Sequence, residues 1–102
     1  MSLDIARDDG QIRVRFSDEL NIYNAAATRD ALLALPADES PCHLDLGDVI
    51  EIDCAGLQVV LAALRSLPAS RLERCSTAVR DCLALCGLDA LLPAAPTSSG
   101  AQ

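Results

Sequence analysis

Residues 51–67, EIDCAGLQVVLAALRSL, constrain the fold more than any other stretch of this chain. A short apolar–polar lead ends at Asp53, and one amphipathic helix follows. Leu57, Val60, Leu61 and Leu64 recur at helical spacing, so they are predicted to form a stripe that faces a core. Val59, Ala62 and Ala63 widen the stripe, which asks for burial on more than one side. Pro68 stops the helix, because its ring nitrogen carries no hydrogen for the next turn. Asp53 stands where an N-cap belongs: its short carboxylate can accept from backbone amides two or three residues on. Cys54, Ala55 and Gly56 then make a first turn of small residues with free amides. Such a helix start is a place where an anion, including a phosphate, can sit.

The elements around this helix follow in order. Leu3 and Ile5 alternate with polar neighbours in a short first strand, and Asp9-Gly10 signals a tight hairpin turn. Ile12, Val14 and Phe16 alternate with Gln11, Arg13, Arg15 and Ser17, the pattern of a half-buried strand. Asp18, Glu19, Leu20 and Asn21 read as a polar loop before the next helix. Asn24 is the expected N-cap of a helix to Leu35, with Thr28, Ala31, Leu32 and Leu35 as its stripe and Pro36 as its stop. After a polar link over 37–41, Cys42, Leu44 and Leu46 alternate with His43 and Asp45 in a strand. Two strands joined through a helix imply a right-handed parallel crossover. Gly47-Asp48 is expected to turn the chain toward the central helix. Residues 71–75 form a weaker strand with only Leu72 and Cys75 to bury. Ser76 or Thr77 caps a last helix with Val79, Cys82, Leu83 and Cys86 on its apolar face, and Gly87 sits where a left-handed C-terminal residue belongs. Leu88, Leu91 and Leu92 can pack back as a final turn.

Composition narrows the class. With 102 residues the chain holds one small domain and one core. The formal net charge is −7, and every cation is Arg. A surface this acidic repels phosphate backbones, which argues against nucleic acid as a partner. No apolar run reaches the roughly 18–20 residues that span a bilayer. The opening MSLDIARDD lacks the basic-then-apolar pattern of a signal segment. Five Cys at these spacings match no disulfide or metal framework, so reduced thiols in the cytoplasm are expected.

Two motifs carry a resemblance. Leu44-Asp45-Leu46, then Val49, then Ile52-Asp53-Cys54-Ala55-Gly56-Leu57 resembles the signature of STAS domains, the family of bacterial anti-sigma factor antagonists. The family's usual form is Asp-Leu-Ser, a short apolar link, then Asp-Ser/Thr-x-Gly-Leu opening a helix. Ser76-Thr77-Ala78-Val79-Arg80 also resembles a segment that such proteins carry before the last helix. The resemblance spans residues 3–92, with 93–102 as a disordered tail. It implies an α/β fold: a mixed four-stranded sheet packed with three to four helices. It further implies regulation by protein–protein binding, in partner-switching or chemotaxis-like signalling. The partner surface would join Asp18, Glu19, Leu20 and Asn21 to Asp53, Cys54, Ala55, Gly56 and Leu57. The family usually has Gly-Glu-Leu-Asp in the first segment, so Asp18 and Asn21 depart from it.

Cys54 falls where the family carries the Ser or Thr that a partner kinase phosphorylates. There a phosphate adds about −1.5 to −2 charges and releases the partner. A Ser/Thr kinase is not expected to use a thiol, and Ala55 offers no substitute hydroxyl. Other readings stay open. Small STAS proteins also serve as accessory subunits on the ATPases of bacterial lipid-transport complexes. A thiol sensor is a third reading: free amides at a helix start favour thiolate, while the adjacent Asp53 opposes it. The expected partner is therefore an anti-sigma factor or serine-kinase-like protein, a chemotaxis component, or a transporter ATPase.

Enzyme chemistry finds little footing. His43 is the one imidazole and has no nucleophile motif nearby, and no P-loop, dinucleotide fingerprint or zinc pattern occurs. Asp45, Asp48, Glu51 and Asp53 are read as a solvated loop and not as a magnesium site, because alternating strand positions cannot all converge. Cys82 and Cys86 share a helical face among apolar residues, where Cys acts as a small hydrophobe. No catalytic residue, cofactor, metal or membrane insertion is expected.

Overall fold

The computed structural model describes residues 2–35 and 40–93. Strands β1 (Ser2–Asp8) and β2 (Gln11–Leu20) lead to helix α1 (Ala25–Leu33). Then come β3 (Cys42–Ile52), α2 (Cys54–Ser66), β4 (Ser70–Cys75), α3 (Thr77–Leu85) and a 3-10 turn at Asp89–Leu91. The expected order β-β-α-β-α-β-α holds. Pro36, most of the 37–41 link and all of the tail beyond Pro93 lie outside the described residues.

The sheet order is β1-β2-β3-β4. β1 pairs antiparallel with β2, while β2, β3 and β4 run parallel, so the sheet is mixed. Asp9 and Gly10 both have positive φ, 53° and 76°, and Asp8 pairs with Gln11 across them. That is the two-residue turn whose twist matches a hairpin. Ile12, Val14, Phe16, Leu44 and Leu46 point into the core with Leu32, Val60, Ala63, Val79 and Leu83 from the helices. On the edge strand Leu3 packs against the core, while Ile5 on the same face is exposed.

Helix ends follow local chemistry. Ser76 Oγ accepts from the Val79 amide at 3.3 Å and starts α3. Gly87, at φ 70°, ends it with Leu88 N donating to Leu83 O and Gly87 N donating to Ala84 O. Those two bonds make a Schellman close. α1 stops at Leu33, two residues short of expectation, and Leu35 is buried beyond its end. On α2 the buried residues are Gly56, Leu57, Val59, Val60 and Ala63, and Leu67 is buried just past its end. Leu61 and Leu64, expected in the core, are only half-buried against it. Small residues let a helix come close to the sheet, so the larger leucines flank the contact line.

The sheet's other face is covered by ion pairs. Arg13 meets Glu73 at 2.8 Å, and Arg15 meets Asp48 at 2.9 Å. Beneath them His43 lies buried, its Nε2 2.9 Å from Gln11 Oε1. Asp45 is also buried; its Oδ1 accepts from Arg74 Nε at 3.0 Å and from the Gly47 amide at 2.9 Å. Burial pushes the Asp45 carboxyl up, but the Arg74 and Gly47 hydrogen bonds and the charges of Arg74 and Arg15 outweigh it and hold it below its ordinary value.

A lowered folded pKa contributes stability that is present above the unfolded value, about 4 for Asp, and is lost as pH falls through the folded value. Asp45→Asn should cost about 1.5–3 kcal/mol at pH 7, the range for a hydrogen bond to a charged group. The gap between variant and wild type should narrow below about pH 4. Urea midpoints at pH 7 and in acid measure both effects.

Candidate functional site

The site is built on Asp53. Its backbone is extended (φ −115°, ψ −175°), and it ends β3 as the N-cap of α2. One carboxylate oxygen, Oδ1, accepts from the Gly56 amide at 2.9 Å. The other, Oδ2, accepts from the Ile22 amide at 3.0 Å, thirty-one residues earlier in the chain. The Asp53 amide in turn donates to Leu20 O at 3.2 Å. The Gly56 hydrogen bond, with that of Ile22, holds the carboxyl below its ordinary value against desolvation. The amide an incoming anion would seek at this helix start is therefore already engaged by Asp53.

The loop at 21–24 is stitched by its two asparagines. Asn24 Nδ2 donates to Glu19 O at 3.0 Å, and Asn24 Oδ1 accepts from the Asn21 amide at 3.1 Å. Asn21 Oδ1 accepts from the Tyr23 amide at 3.0 Å. Asn24 thus precedes α1 without a side-chain bond to the helix it was expected to cap.

Two expectations about this region change. Asp18, Glu19 and Leu20 are the last rungs of β2, not a loop, and β3 runs through Gly47 and Asp48 to Ile52. Register shifts between Arg15 and Ser17 and between Asp18 and Glu19 let the two strands stay paired. Asp18 takes φ 67° at the second shift, the one other non-glycine residue with positive φ besides Asp9 among the described residues. Further, Leu20, Gly56 and Leu57 are buried. Leu20 fills the core, and a Cβ on Gly56 would fall on the Leu20 carbonyl oxygen and within 2.8 Å of its carbonyl carbon. These three shape the surface from beneath and do not line it.

What the face displays is Cys54, exposed at the first residue of α2, with Asp18 and Glu19 exposed and Asn21, Asp53 and Ala55 half-buried. Ile22 and Tyr23 stand beside it, 67% and 94% exposed. Sequence reasoning passed over both. Their signal was an apolar-aromatic pair between two asparagines, with no periodic partners to bury it. Glu19 pairs with Glu51 across the strands, so the rim is acidic.

Other candidate chemistry is spoken for. The acidic run lies on a strand, where Asp45 binds Arg74 and Asp48 binds Arg15, and not in a solvated loop. Among the described residues no group of three His, Cys, Asp or Glu could hold a metal ion. Burial pushes the Cys82 thiol up, and Cys86, Cys54 and Asp53 add to the shift. Held protonated, Cys82 is a weak nucleophile. No described helix is long and apolar enough to cross a membrane.

A family model described as Mlab, STAS domain, matches residues 3–93. Among solved structures, an anti-sigma factor antagonist from Mycobacterium paratuberculosis is similar at 27% identity and TM-score 0.78, over 98% of this chain and 89% of that one. A putative anti-sigma factor antagonist from Thermotoga maritima is 24% identical over 97% and 90% of the two chains, with TM-score 0.75. The anti-sigma factor antagonist SpoIIAA in its unphosphorylated form shares the fold at 18% identity and TM-score 0.69, over 97% and 92%. A comparison with curated proteins finds no match.

Gly56→Ala tests the joint. Alanine's better helix propensity is worth about 1 kcal/mol, while a methyl forced against backbone costs about 1–3. The net is a loss of up to about 2 kcal/mol, read from the urea midpoint. Asp18→Val should also lose about 1–2 kcal/mol, because a β-branched residue bears the full left-handed strain. Asp18→Gly should stay within about 0.5 kcal/mol, as relief of strain is offset by a freer unfolded chain.

Proposed function

The chain belongs to the STAS domain family, and we propose that it is a cytoplasmic, non-enzymatic regulator that binds a protein partner through the face around Asp53 and Cys54. The observation that carries this reading is the pair Ile22 and Tyr23. Two large apolar side chains stand in solvent on a loop that Asp53 and two asparagines hold in place. Exposed apolar and aromatic groups on a fixed scaffold are what protein interfaces use as anchors. The Glu19–Glu51 rim favours a partner with basic groups opposite.

In this reading Cys54 takes the position of the family's phosphoacceptor, and the switch does not run through phosphate on this residue. The partner is an anti-sigma factor or serine-kinase-like protein or a chemotaxis component. One observation supports a second reading. The matching family model is described as Mlab, unlike the anti-sigma neighbours. An accessory STAS subunit on a bacterial lipid-transport ATPase would use the same face.

A tagged chain recovered from its native host, followed by mass spectrometry of what it holds, separates the two: a kinase-like or signalling protein, or an ATPase. With that partner, Cys54→Asp should weaken binding about tenfold or more by calorimetry, since an unpaired charge in an interface costs several kcal/mol. The variant should keep its stability, because a carboxylate is tolerated in the first turn of a helix. Unchanged affinity would take Cys54 out of the interface. With a kinase of the family, wild type should take up no phosphate at residue 54, and Cys54→Ser should restore uptake.

A further inference from the structure

An open groove of about 630 Å³ runs between α1 and α2, beginning beside the Asp53 face. Ala25, Ala26, Ala55 and Ala62 line it with Val59 and Leu61. Four alanines explain the gap: the two helices face each other there with almost no side-chain bulk. Leu61, whose spacing belongs to the core stripe, is left half-buried along it. Ile22, largely exposed, borders the end nearest Asp53.

The groove's charge is opposite to that of the molecule. Arg29 and Arg65 border it on a chain of net charge −7. Arg13, Arg15 and Arg74 are bound in ion pairs on the open sheet face. Arg29 has only its chain neighbour Asp30, at 3.4 Å between exposed groups, and Arg65 has no ion pair among the described residues. Two lightly engaged guanidinium groups beside an apolar floor are complementary to carboxylates flanking an apolar stripe.

The backbone chemistry of the occupant follows. An extended peptide laid over alanine walls would leave its amides and carbonyls without partners, because no strand edge lines this groove. A helix satisfies its own backbone and presents one apolar face. From Ala55 to Arg65 α2 rises about 15 Å, the length of roughly three helical turns. We infer that the groove takes one amphipathic helix of the partner protein, about three turns long, with its apolar stripe on the alanines and acidic residues toward Arg29 and Arg65. The inference rests on the partner-binding reading and names the segment that the partner supplies.

The test uses the whole chain with the partner recovered from the host. A photo-crosslinking benzoylphenylalanine is placed singly at Gln58, which is exposed and lines the groove, at Tyr23 beside Asp53, and at Arg13 on the open sheet face as control. Gln58 and Tyr23 should both crosslink, and Arg13 should not. The peptide attached to residue 58 should map to a helical, acidic amphipathic segment. The double variant Arg29→Glu with Arg65→Glu should bind about tenfold more weakly at low salt, and the difference should shrink as salt rises. Circular dichroism confirms that the double variant is folded. Crosslinking at Tyr23 but not Gln58 overturns the groove assignment and leaves the partner face standing. Silence at both positions while the partner still binds overturns both. A crosslinked segment that is basic or extended, an unchanged affinity in the double variant, or a small amphiphile held in the groove by native mass spectrometry each overturns the helix.

Discussion

One carboxylate joins the parts of this molecule that matter for its surface. Asp53 gives one oxygen to the amide of Gly56 and the other to the amide of Ile22, while its own amide reaches Leu20. The end of β2, the loop before α1 and the start of α2 therefore meet at a single residue. The joint is tight because Gly56 has no side chain to hold α2 off the Leu20 backbone. Cys54 is displayed by that geometry: it is the first of two residues between a cap turned inward and a glycine pressed against a strand. A change at Leu20 or Gly56, both buried, would move the displayed face without touching it.

Much of this was legible in the sequence because it is local. The alternation of Ile12, Val14 and Phe16, the Asp9-Gly10 turn, the Asp53 and Ser76 caps and the Gly87 close each depend on a few adjacent residues. The misread parts depend on distant ones. Asp18, Glu19 and Leu20 look like a polar loop, yet pairing with the far end of β3 through two register shifts makes them strand. Asp45 looks solvated until Arg74, from another strand, covers it. Helical spacing placed Leu61 in the core with Val60, but spacing cannot tell which part of a broad stripe lies deepest. That was decided by Gly56 and Ala63, the residues small enough to approach the sheet. Ile22 and Tyr23 escaped notice because periodicity finds what a fold buries and passes over apolar groups it leaves out.

Charge is sorted across the surface in a way that bears on how a partner would be oriented. The open sheet face consumes three of the eight arginines in pairs with Glu73, Asp48 and Asp45. The rim near Asp53 stays acidic through Glu19 and Glu51, while the α1–α2 groove keeps Arg29 and Arg65. A partner approaching both regions at once would meet opposite signs on the two. Such a pattern fixes register and raises the encounter rate more than it raises affinity.

The same joint bears on what a thiol at residue 54 means under the proposed reading. A phosphate on this helix start would find the Gly56 amide already bonded to Asp53 and would lie beside that carboxylate. The added charge would have little to pair with locally, so its effect would fall on whatever partner covers the face. That is the logic of a release signal: poorly compensated charge is tolerated in water and costly once buried. A thiol keeps the small size the position demands and gives up this device. With neither a hydroxyl at 54 nor one at 55, control of binding under this reading does not run through a phosphate at the helix start. It could act through the partner's own conformation or through contacts away from the helix start. A protein that is not released by one local charge can still be held or freed through the rest of its contact surface.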